Sequence, residues 1–297
     1  MHYTGITWRP PFEAKSLLLQ VTSGCSHNKC AFCTMYSDVG YAVSPMEEIE
    51  QDLKEAANLY KKNTRVFLEN GDAFSLSADR LVKIAEMVNF YFPEAEVISS
   101  YASIKNLKDK SVEDLKKLKS LKVDMLNVGV ESGLQSSLEF LNKGCDVKDV
   151  YEQIEKLKQA KMTFCLNIIW GVEGFGNYLK SAEANSKLLN FAQPSAFFGG
   201  TLHCEENCVL YERIKSGVFK ENTARQLIEE EIAMIERLNL KNTHFYGDHP
   251  SNSVKLEGFF PRDKEDFLQK LERALKEIPP EKLDVVPEKG EEGEINL

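Results

Sequence analysis

The sequence lacks several features that would assign the chain to other classes of protein. No uninterrupted apolar run approaches the roughly 20 residues of a membrane-spanning helix, and the first residues show neither the basic region nor the apolar region of an export signal. An excess of positive charge is also lacking, because 37 Lys and Arg face 46 Asp and Glu, which gives a net charge of −9. We therefore expect a cytoplasmic protein without membrane contact, and nucleic acid is not an expected partner.

A complete disulfide framework is lacking as well. The chain has seven cysteines, an odd number, and no export signal. Some of the thiols should therefore stay reduced or bind metal. Apolar residues make up 42% of the chain and charged residues 28%, which is the composition of a globular protein. The length of 297 residues predicts one main domain with an extension.

Short apolar segments alternate with longer amphipathic segments over the first two thirds of the chain. The segments with strand character are 16–21, 65–68, 96–101, 125–130, 163–170 and 195–202. Strands that alternate with helices pair in parallel through right-handed crossovers, which predicts an α/β sheet covered on both faces. Six such units are too few for a closed eight-stranded barrel. The periodicity leaves open a doubly wound sheet and an incomplete barrel.

The alternation stops after about residue 215. Two further helices are predicted at 223–238 and 262–276, and 243–253 between them is predicted to be irregular. The predicted domains are 1–215 for the strand and helix units, with a core at about 16–202, then 216–278 for a helical extension and 279–297 for a mobile tail.

Three cysteines lie within nine residues, directly after the first predicted strand. Cys25, Cys30 and Cys33 form the pattern C-x4-C-x2-C in VTSGCSHNKCAFCTMY. Thiolates at this spacing can converge on a soft metal or on an iron-sulfur cluster. A structural zinc site takes four ligands and an electron-carrying cube takes four cysteines, so three thiolates leave one iron available to an outside ligand. A zinc site completed by His27 or a distant residue, and three unrelated buried thiols, are the alternatives.

With this motif the chain resembles the radical S-adenosylmethionine superfamily. In that family, three closely spaced cysteines after the first barrel strand hold a [4Fe-4S] cluster, and the methionine part of S-adenosylmethionine chelates the fourth iron. An aromatic residue typically precedes the third cysteine, and here it is Phe32. The common family spacing is C-x3-C-x2-C, so this chain has one additional residue between Cys25 and Cys30.

The resemblance covers about residues 16–202 and implies a partial (β/α)6 TIM-type barrel followed by the helical extension. GVES at 129–132 and SSYA at 99–102 are similar to the subgroup of oxygen-independent coproporphyrinogen oxidase-like and B12-domain radical enzymes. Only 15 residues precede the first predicted strand, so we expect no cobalamin-binding domain and no corrinoid chemistry.

The resemblance also implies where the cofactor is bound. Asn70, Gly71 and Asp72 occupy the position of a glycine-rich family motif that meets the amino group of S-adenosylmethionine. Glycine allows close approach of the backbone, and the Asp72 carboxylate is suited to an ammonium group. A plain turn is the alternative. Phe32 and the strand ends would hold the nucleotide.

Three further side chains at strand ends are implied as cofactor contacts. Ser100 and Glu131 end the third and fourth strands, at positions similar to those that bind the carboxylate and the ribose or amine in the family. For Glu131, the alternative is a buried ion pair with a lysine. Asn167 on the fifth strand should face the barrel interior, either as a cofactor contact or in a structural hydrogen bond.

A second group of soft side chains follows the sixth strand. His203, Cys204 and Cys208 are candidates for an additional metal, for transfer of a hydrogen atom or electron, or for a redox-sensitive pair, and two ordinary thiols are the alternative. Asp248 and His249 in the extension are expected either to help close the site or to form a surface turn.

The function implied by the resemblance is that of a radical S-adenosylmethionine enzyme. An electron from a low-potential donor of the flavodoxin or ferredoxin type would cleave the cofactor to methionine and a 5′-deoxyadenosyl radical, which takes hydrogen from a substrate. A small molecule or a peptide is the expected substrate. The alternative is a metal-binding or redox-sensing protein on an enzyme-derived fold.

Overall fold

The computed structural model describes residues 1–60, 64–289 and 295–296. Two compact units are present. The first comprises Met1–Asn28, Met35–Gly129 and Glu152–Phe164, and the second comprises Lys29–Thr34, Val130–Tyr151 and Cys165–Leu297.

The first unit contains a parallel sheet with helices in its connections. Its strands are β1 (Leu17–Gln20), β2 (Thr22–Ser23), β3 (Ala42–Val43), β4 (Arg65–Glu69), β5 (Val97–Ser103) and β6 (Val123–Glu131), the last of which ends in the second unit. Its helices are α1 (Met46–Leu59), α2 (Ala78–Tyr91), α3 (Ile104–Lys108) and α4 (Val112–Ser120). The parallel strands lie in the order β1, β4, β5, β6.

Local sequence explains these elements. Val66, Phe67 and Leu68 of β4 are all buried, as expected for a parallel strand covered on both faces. Ser77 caps α2 by accepting a hydrogen bond from a backbone N–H of the first turn. Ser111 begins α4 with a complete capping box.

The second unit has its own run of alternating helices and strands. Its helices are α5 (Gln135–Phe140), α6 (Val147–Gln159, which ends in the first unit), α7 (Tyr178–Ala192), α8 (Val209–Lys215), α9 (Ala224–Arg237), α10 (Lys264–Glu277) and α11 (Pro280–Leu283). Its strands are β7 (Phe164–Trp170, with its first residue in the first unit), β8 (Ala196–Thr201), β9 (Thr243–Gly247), β10 (Leu256–Phe260), β11 (Glu288–Lys289) and β12 (Ile295–Asn296). Strands β7, β8 and β9 pair in parallel in that order, and β10 pairs antiparallel with β9.

The α/β fold class and the six predicted strands are confirmed, as β1, β4, β5, β6, β7 and β8. The interpretation of 243–253 as irregular is wrong for its first half, because Thr243–Gly247 forms β9 and extends the sheet of the second unit. Thr243, Phe245 and Gly247 are buried and alternate with more open residues, the period of a half-buried strand.

The segment predicted as a mobile tail differs from the prediction where it begins. Pro280–Leu283 forms α11, in which Leu283 is 1% exposed, and the Ala224 N–H donates to the Val285 carbonyl at 2.9 Å. The tail residues 290–294 and 297 lie outside the described residues. The division of the chain at about residue 215 stays a prediction. Within the described ranges, no helix has both the length and the apolar composition to cross a bilayer.

Candidate functional site

The cysteine motif lies in the loop that connects β2 with β3. These two short strands pair antiparallel and so fix both ends of the loop. The Ser23 hydroxyl adds a hydrogen bond to the Gly40 carbonyl at 2.9 Å. Cys25, Cys30 and Cys33 are each half-buried, which keeps their sulfur atoms within reach of a bound group.

In the first unit, the turn after β4 accepts hydrogen bonds from Ser26, the residue that follows the first cysteine. Asn70, Gly71 and Asp72 follow β4 directly. The Asp72 carboxylate is buried, and its Oδ2 accepts a hydrogen bond from the Ser26 N–H at 3.0 Å and another from the Ser26 hydroxyl. The carboxylate that was predicted to meet an ammonium group therefore already has two donors beside Cys25.

In the second unit, backbone hydrogen bonds hold the segment that carries Cys30 and Cys33. The Ala31 N–H donates to the Leu141 carbonyl at 2.8 Å, and the Leu210 N–H donates to the Ala31 carbonyl at 2.8 Å. Both bonds use the residue between the two cysteines, so the loop has a defined path at this point.

Phe32 packs against an apolar cluster beneath this segment. The cluster consists of Ala31, Leu141, Val172, Leu202, Cys208, Leu210 and Phe219. Cys208 is 5% exposed and accepts a hydrogen bond from the Tyr211 N–H at 3.4 Å at the start of α8. Cys204 is half-buried and packs on the same cluster. Cys208 thus has the surroundings of a structural thiol.

Glu131, at the end of β6, forms an ion pair with Lys143. The Lys143 ammonium donates to the Glu131 carboxylate at 2.9 Å, and the two side chains are 11% and 10% exposed. Burial alone would lower the pKa of Lys143, but the negative charge of Glu131, followed by that of Cys30, raises this pKa above its usual range. The alternative predicted for Glu131, an ion pair with a lysine, is therefore the observed arrangement.

Several buried polar atoms at the end of β4 and within β5 and β6 have no hydrogen-bond partner among the described residues. They are both carboxylate oxygens of Glu69, Oδ1 of Asn70, Oγ of Ser100 and both amide atoms of Asn127. Burial raises the pKa of Glu69 to about 7, although Arg9 opposes the shift. Buried polar groups normally have partners, so atoms that lack one are candidates for contact with a polar ligand.

Strand register separates these atoms onto two faces of the sheet. Ser100 was predicted to end its strand, but β5 continues to Ser103, so Ser100 lies inside the strand. It pairs in register with Leu68 and Leu126 and therefore lies on the opposite face from Glu69. Asn127 pairs with Tyr101, and the Tyr101 ring lies 5.3 Å from the ring of Phe67, which is on the same face as Glu69. Glu69 and Asn127 were missed by the sequence analysis, although both occupy strand positions that alternate with apolar residues.

Asn167 lies on the more open face of β7. It is half-buried, while Leu166 and Ile168 on either side are buried, and it pairs in register with Phe198 of β8. This position suits contact with a ligand.

His249 is not in a plain surface turn. The Ser251 N–H donates to His249 Nδ1 at 3.2 Å, and the Ser251 hydroxyl lies 2.6 Å from the same nitrogen. Ser251 Oγ also accepts from the Thr201 N–H at 3.1 Å, which directs its own hydrogen to Nδ1. The ring packs over Gly200, whose added Cβ would lie 3.6 Å from Nδ1. Burial, assisted by Lys255, lowers the pKa of His249, so the ring is neutral at pH 7 with its hydrogen on Nε2.

The profile of the Radical SAM superfamily matches residues 19–177, more than half of the chain. The chain belongs to the radical SAM superfamily. The matched region includes all three cysteines of the motif and the strand ends of both units that carry the predicted cofactor contacts. The family predicted from the cysteine motif is therefore confirmed.

Known proteins agree with this membership. Over 110 residues, the chain is 29% identical to the heme chaperone HemW of Bacillus subtilis strain 168, a match that covers 37% of this chain and 29% of HemW. Coproporphyrinogen III oxidase (HemN) from Escherichia coli is similar in structure, with a TM-score of 0.57 and 15% identity over 75% of this chain and 52% of HemN. The archaeal Elp3 of Methanocaldococcus infernus gives a TM-score of 0.54 and 13% identity over 87% of this chain and 63% of its own.

These likenesses carry the fold, and they support the predicted relation to coproporphyrinogen oxidase-like proteins. The radical SAM chain spans about half the length of the HemN structure it matches and less of HemW. The comparisons therefore do not assign the activity of HemN or of HemW to this chain.

The donor chemistry of this radical SAM chain fits the predicted cofactors, a [4Fe-4S] cluster and S-adenosylmethionine. Three thiols offer soft ligands for iron, and the buried polar atoms that lack a partner among the described residues, at the end of β4 and within β5 and β6, offer hydrogen bonds to a polar ligand. Within the described residues, no three His, Cys, Asp or Glu side chains are gathered around one metal position. The ligand assignment therefore rests on the motif and the family.

The sequence analysis missed Lys143 as a residue of the site. It lies in Asn-Lys-Gly, twelve residues after Glu131, and nothing in that local sequence marks it as buried. The only signal was the general rule that a buried carboxylate requires a cationic partner.

Proposed function

We propose that the chain is a radical SAM enzyme that cleaves S-adenosylmethionine reductively and transfers the resulting radical character to a substrate by hydrogen abstraction. The observation that carries the proposal is the C-x4-C-x2-C motif inside a family match that covers more than half of the chain. When bound, a [4Fe-4S] cluster would supply one electron for cleavage to methionine and a 5′-deoxyadenosyl radical.

Cys25, Cys30 and Cys33 would hold the cluster and leave one iron available to the cofactor. Lys143 is paired with Glu131 at 2.9 Å, and its ammonium also interacts electrostatically with Cys30.

The family resemblance implied seven contacts of S-adenosylmethionine, and we propose six of them as contacts: Phe32, Asn70, Gly71, Ser100, Glu131 and Asn167. The seventh, Asp72, already accepts two hydrogen bonds from Ser26. Support differs among them. Asn70 and Ser100 have buried polar atoms without a partner in the described part of the chain, whereas Asp72 and Glu131 have partners in the protein.

The proposed substrate is a small molecule or a peptide, and the proposed electron donor is a low-potential protein of the flavodoxin or ferredoxin type. Cys204 and Cys208 are the proposed candidates for hydrogen-atom or electron transfer. The half-buried Cys204 is better placed for this role than Cys208, which lies in the apolar cluster.

Anaerobic reconstitution with iron and sulfide tests the proposal. We expect about four irons per chain, an EPR signal of the reduced cluster that changes when S-adenosylmethionine is added, and release of 5′-deoxyadenosine after reduction with dithionite. One zinc per chain and no nucleoside product would instead support the metal-binding alternative.

Single substitutions test the ligands. Cys25→Ala, Cys30→Ala and Cys33→Ala should each abolish the bound iron. Cys165→Ala is the matched control, because Cys165 is fully buried and burial raises its pKa to about 12, which keeps it a thiol. Iron that persists in all three variants would show that the ligands lie elsewhere.

Heme binding is a second candidate, favoured by the 29% identity to a protein named as a heme chaperone. A titration of the chain with hemin, followed through the Soret band, tests it. A saturable shift at one hemin per chain, without release of 5′-deoxyadenosine from the reconstituted protein, would favour this candidate over catalysis.

A further inference from the structure

The turn Asn70-Gly71-Asp72 makes its closest polar contacts with the cysteine loop. Asp72 is 2% exposed, and Ser26 directs both its backbone N–H, at 3.0 Å, and its hydroxyl to Asp72 Oδ2. Two donors from one residue onto one carboxylate oxygen form a charge-assisted clamp. Ser26 follows Cys25 directly, so the clamp restrains the backbone on one side of that thiol.

A second contact restrains the other end of the loop. A Cβ at Gly71 would lie 2.2 Å from the Tyr36 ring, closer than any side chain tolerates. Tyr36 is 5% exposed and lies three residues after Cys33. Its carbonyl accepts a hydrogen bond from the Asn28 side chain at 3.0 Å, within the same loop. Glycine at position 71 is therefore required for the ring of Tyr36 to pack on the turn.

Lys110 holds the residues that follow the turn directly. Its Nζ donates to the Phe74 carbonyl at 2.8 Å and to the Asn106 carbonyl at 3.2 Å, and it lies 4.7 Å from the centre of the Phe74 ring. Lys110 is 2% exposed. The turn is thus anchored on β4, on Lys110 and on the cysteine loop, which makes it a rigid support.

We propose that Asp72 is a positioning residue that holds Cys25 ready for the cluster, and that it does not serve as the acceptor for the ammonium group of S-adenosylmethionine. The proposal rests on the proposed function for the identity of the cluster. The clamp itself is a property of the metal-free chain, because Ser26 supplies both donors. Asp72 should therefore control the mobility of Cys25 and the retention of iron, and it should have little effect on cofactor affinity.

The first measurement uses the metal-free protein. The rate of alkylation of Cys25 by iodoacetamide, followed by peptide mass spectrometry, should rise about tenfold in Asp72→Ala, and the Ser26 amide should exchange its hydrogen correspondingly faster. Asp72→Asn keeps an acceptor oxygen and should recover most of the protection. Ser26→Ala removes one donor and should fall between the two. Asp79→Ala is the control, because Asp79 is an exposed acid at the start of α2 in the same unit.

The second measurement uses the reconstituted protein. Asp72→Ala should lose iron to a chelator about tenfold faster than the wild type and should show an altered EPR signature of the reduced cluster, and Asp72→Asn should restore both. The dissociation constant for S-adenosylmethionine, measured by equilibrium dialysis on the fraction that keeps iron, should stay within about twofold of the wild-type value.

The outcomes separate the two proposals. Unchanged alkylation of Cys25 in Asp72→Ala, or unchanged iron loss with cofactor affinity weakened tenfold or more, would overturn the positioning role. If the wild type takes up no iron, the proposed function fails, while the alkylation and exchange rates still decide whether the clamp exists. If Asp72→Ala does not fold, as judged by circular dichroism, Ser26→Ala and Asp72→Asn carry the same test.

Discussion

Two parallel strands of this chain, β4 and β6, have an acidic residue at or just after their carboxyl end, and the two acids have different partners. After β4 in the first unit, Asp72 accepts hydrogen bonds from the neutral N–H and hydroxyl of Ser26. At the end of β6 in the second unit, Glu131 binds the ammonium of Lys143 at 2.9 Å. Both acids were predicted as cofactor contacts from the family resemblance.

The difference teaches that the position of an acid at a strand end does not fix what the acid does. A carboxylate that accepts hydrogen bonds from neutral donors restrains the backbone that carries those donors. A carboxylate paired with a buried ammonium instead neutralises that charge, and each group depends on the other for its burial. Removing a partner therefore has different consequences at the two turns, and the following substitutions measure that contrast.

The largest effect is expected from breaking the ion pair. Lys143→Met leaves the Glu131 carboxylate at 10% exposure without its cation, which should lower the free energy of unfolding by about 3 to 5 kcal/mol. Urea unfolding followed by circular dichroism measures the change. The double variant Glu131→Gln/Lys143→Met should recover part of the loss, because it leaves no buried charge. A double variant as unstable as the single one would show that lost packing, not the uncompensated charge, dominates.

The next largest effect is expected in the pH dependence of the free energy of unfolding, to which the two units should contribute unequally. Burial, followed by the charge of Glu230, raises the pKa of Glu231 to about 8, and burial raises that of Glu230 to about 7. The folded chain then binds more protons than the unfolded chain between about pH 4.5 and 8, so the free energy of unfolding should fall as pH rises through this window.

In Glu231→Gln, the fall in the free energy of unfolding across this pH window should be smaller by on the order of 2 to 4 kcal/mol. Urea unfolding at a series of pH values tests it, with Glu236→Gln as the control, because Glu236 is exposed on the same helix. In the first unit only Glu69 has a comparable raised pKa among the described acids, so Glu69→Gln should flatten the curve less. Equal slopes for wild type and Glu231→Gln would contradict the prediction.

A smaller loss is expected from the neutral clamp. Asp72→Ala removes the charged acceptor of two part-buried hydrogen bonds from Ser26, which should cost about 1 to 3 kcal/mol of unfolding free energy. Chemical denaturation compared directly with Lys143→Met decides the order. A loss that equals or exceeds the ion-pair variant would invert the comparison.

The smallest effect should come from an amide at position 72. Asp72→Asn keeps an oxygen that can accept from Ser26 and should cost less than about 1 kcal/mol. The matched change Glu131→Gln removes the counter-charge of Lys143 and should cost distinctly more. Thermal unfolding of both variants and the wild type measures the difference. Equal shifts in melting temperature would mean that the charge of Glu131 contributes no more to stability than that of Asp72.

Much of the fold followed from the sequence because its signals are local. The run Val66, Phe67, Leu68 in β4 is apolar throughout, and such a run has few structural explanations besides a covered strand. Strand β9 was missed because His244 and Tyr246 interrupt a short alternating segment, and the pairing with β8 that stabilises it joins distant parts of the chain.

The site was less predictable, because its contacts depend on distant partners. The cysteine motif is compact and identified the family unaided. The contact of Ser26 with Asp72 spans 46 residues, and the pair of Glu131 with Lys143 spans 12, so neither partner can be chosen from local pattern. The candidate functional residues could be predicted from the sequence, whereas their hydrogen-bond and ion-pair partners could be identified only from the fold.

The hydrogen bonds around His249 limit what that ring can do for any molecule bound at the β8 end of the sheet. With the Nδ1 lone pair committed to Ser251, the other nitrogen of the imidazole carries the ring hydrogen, and the ring offers no basic nitrogen. Such a ring can anchor an oxygen of a guest molecule, and any step that requires removal of a proton there must be assigned to a different group.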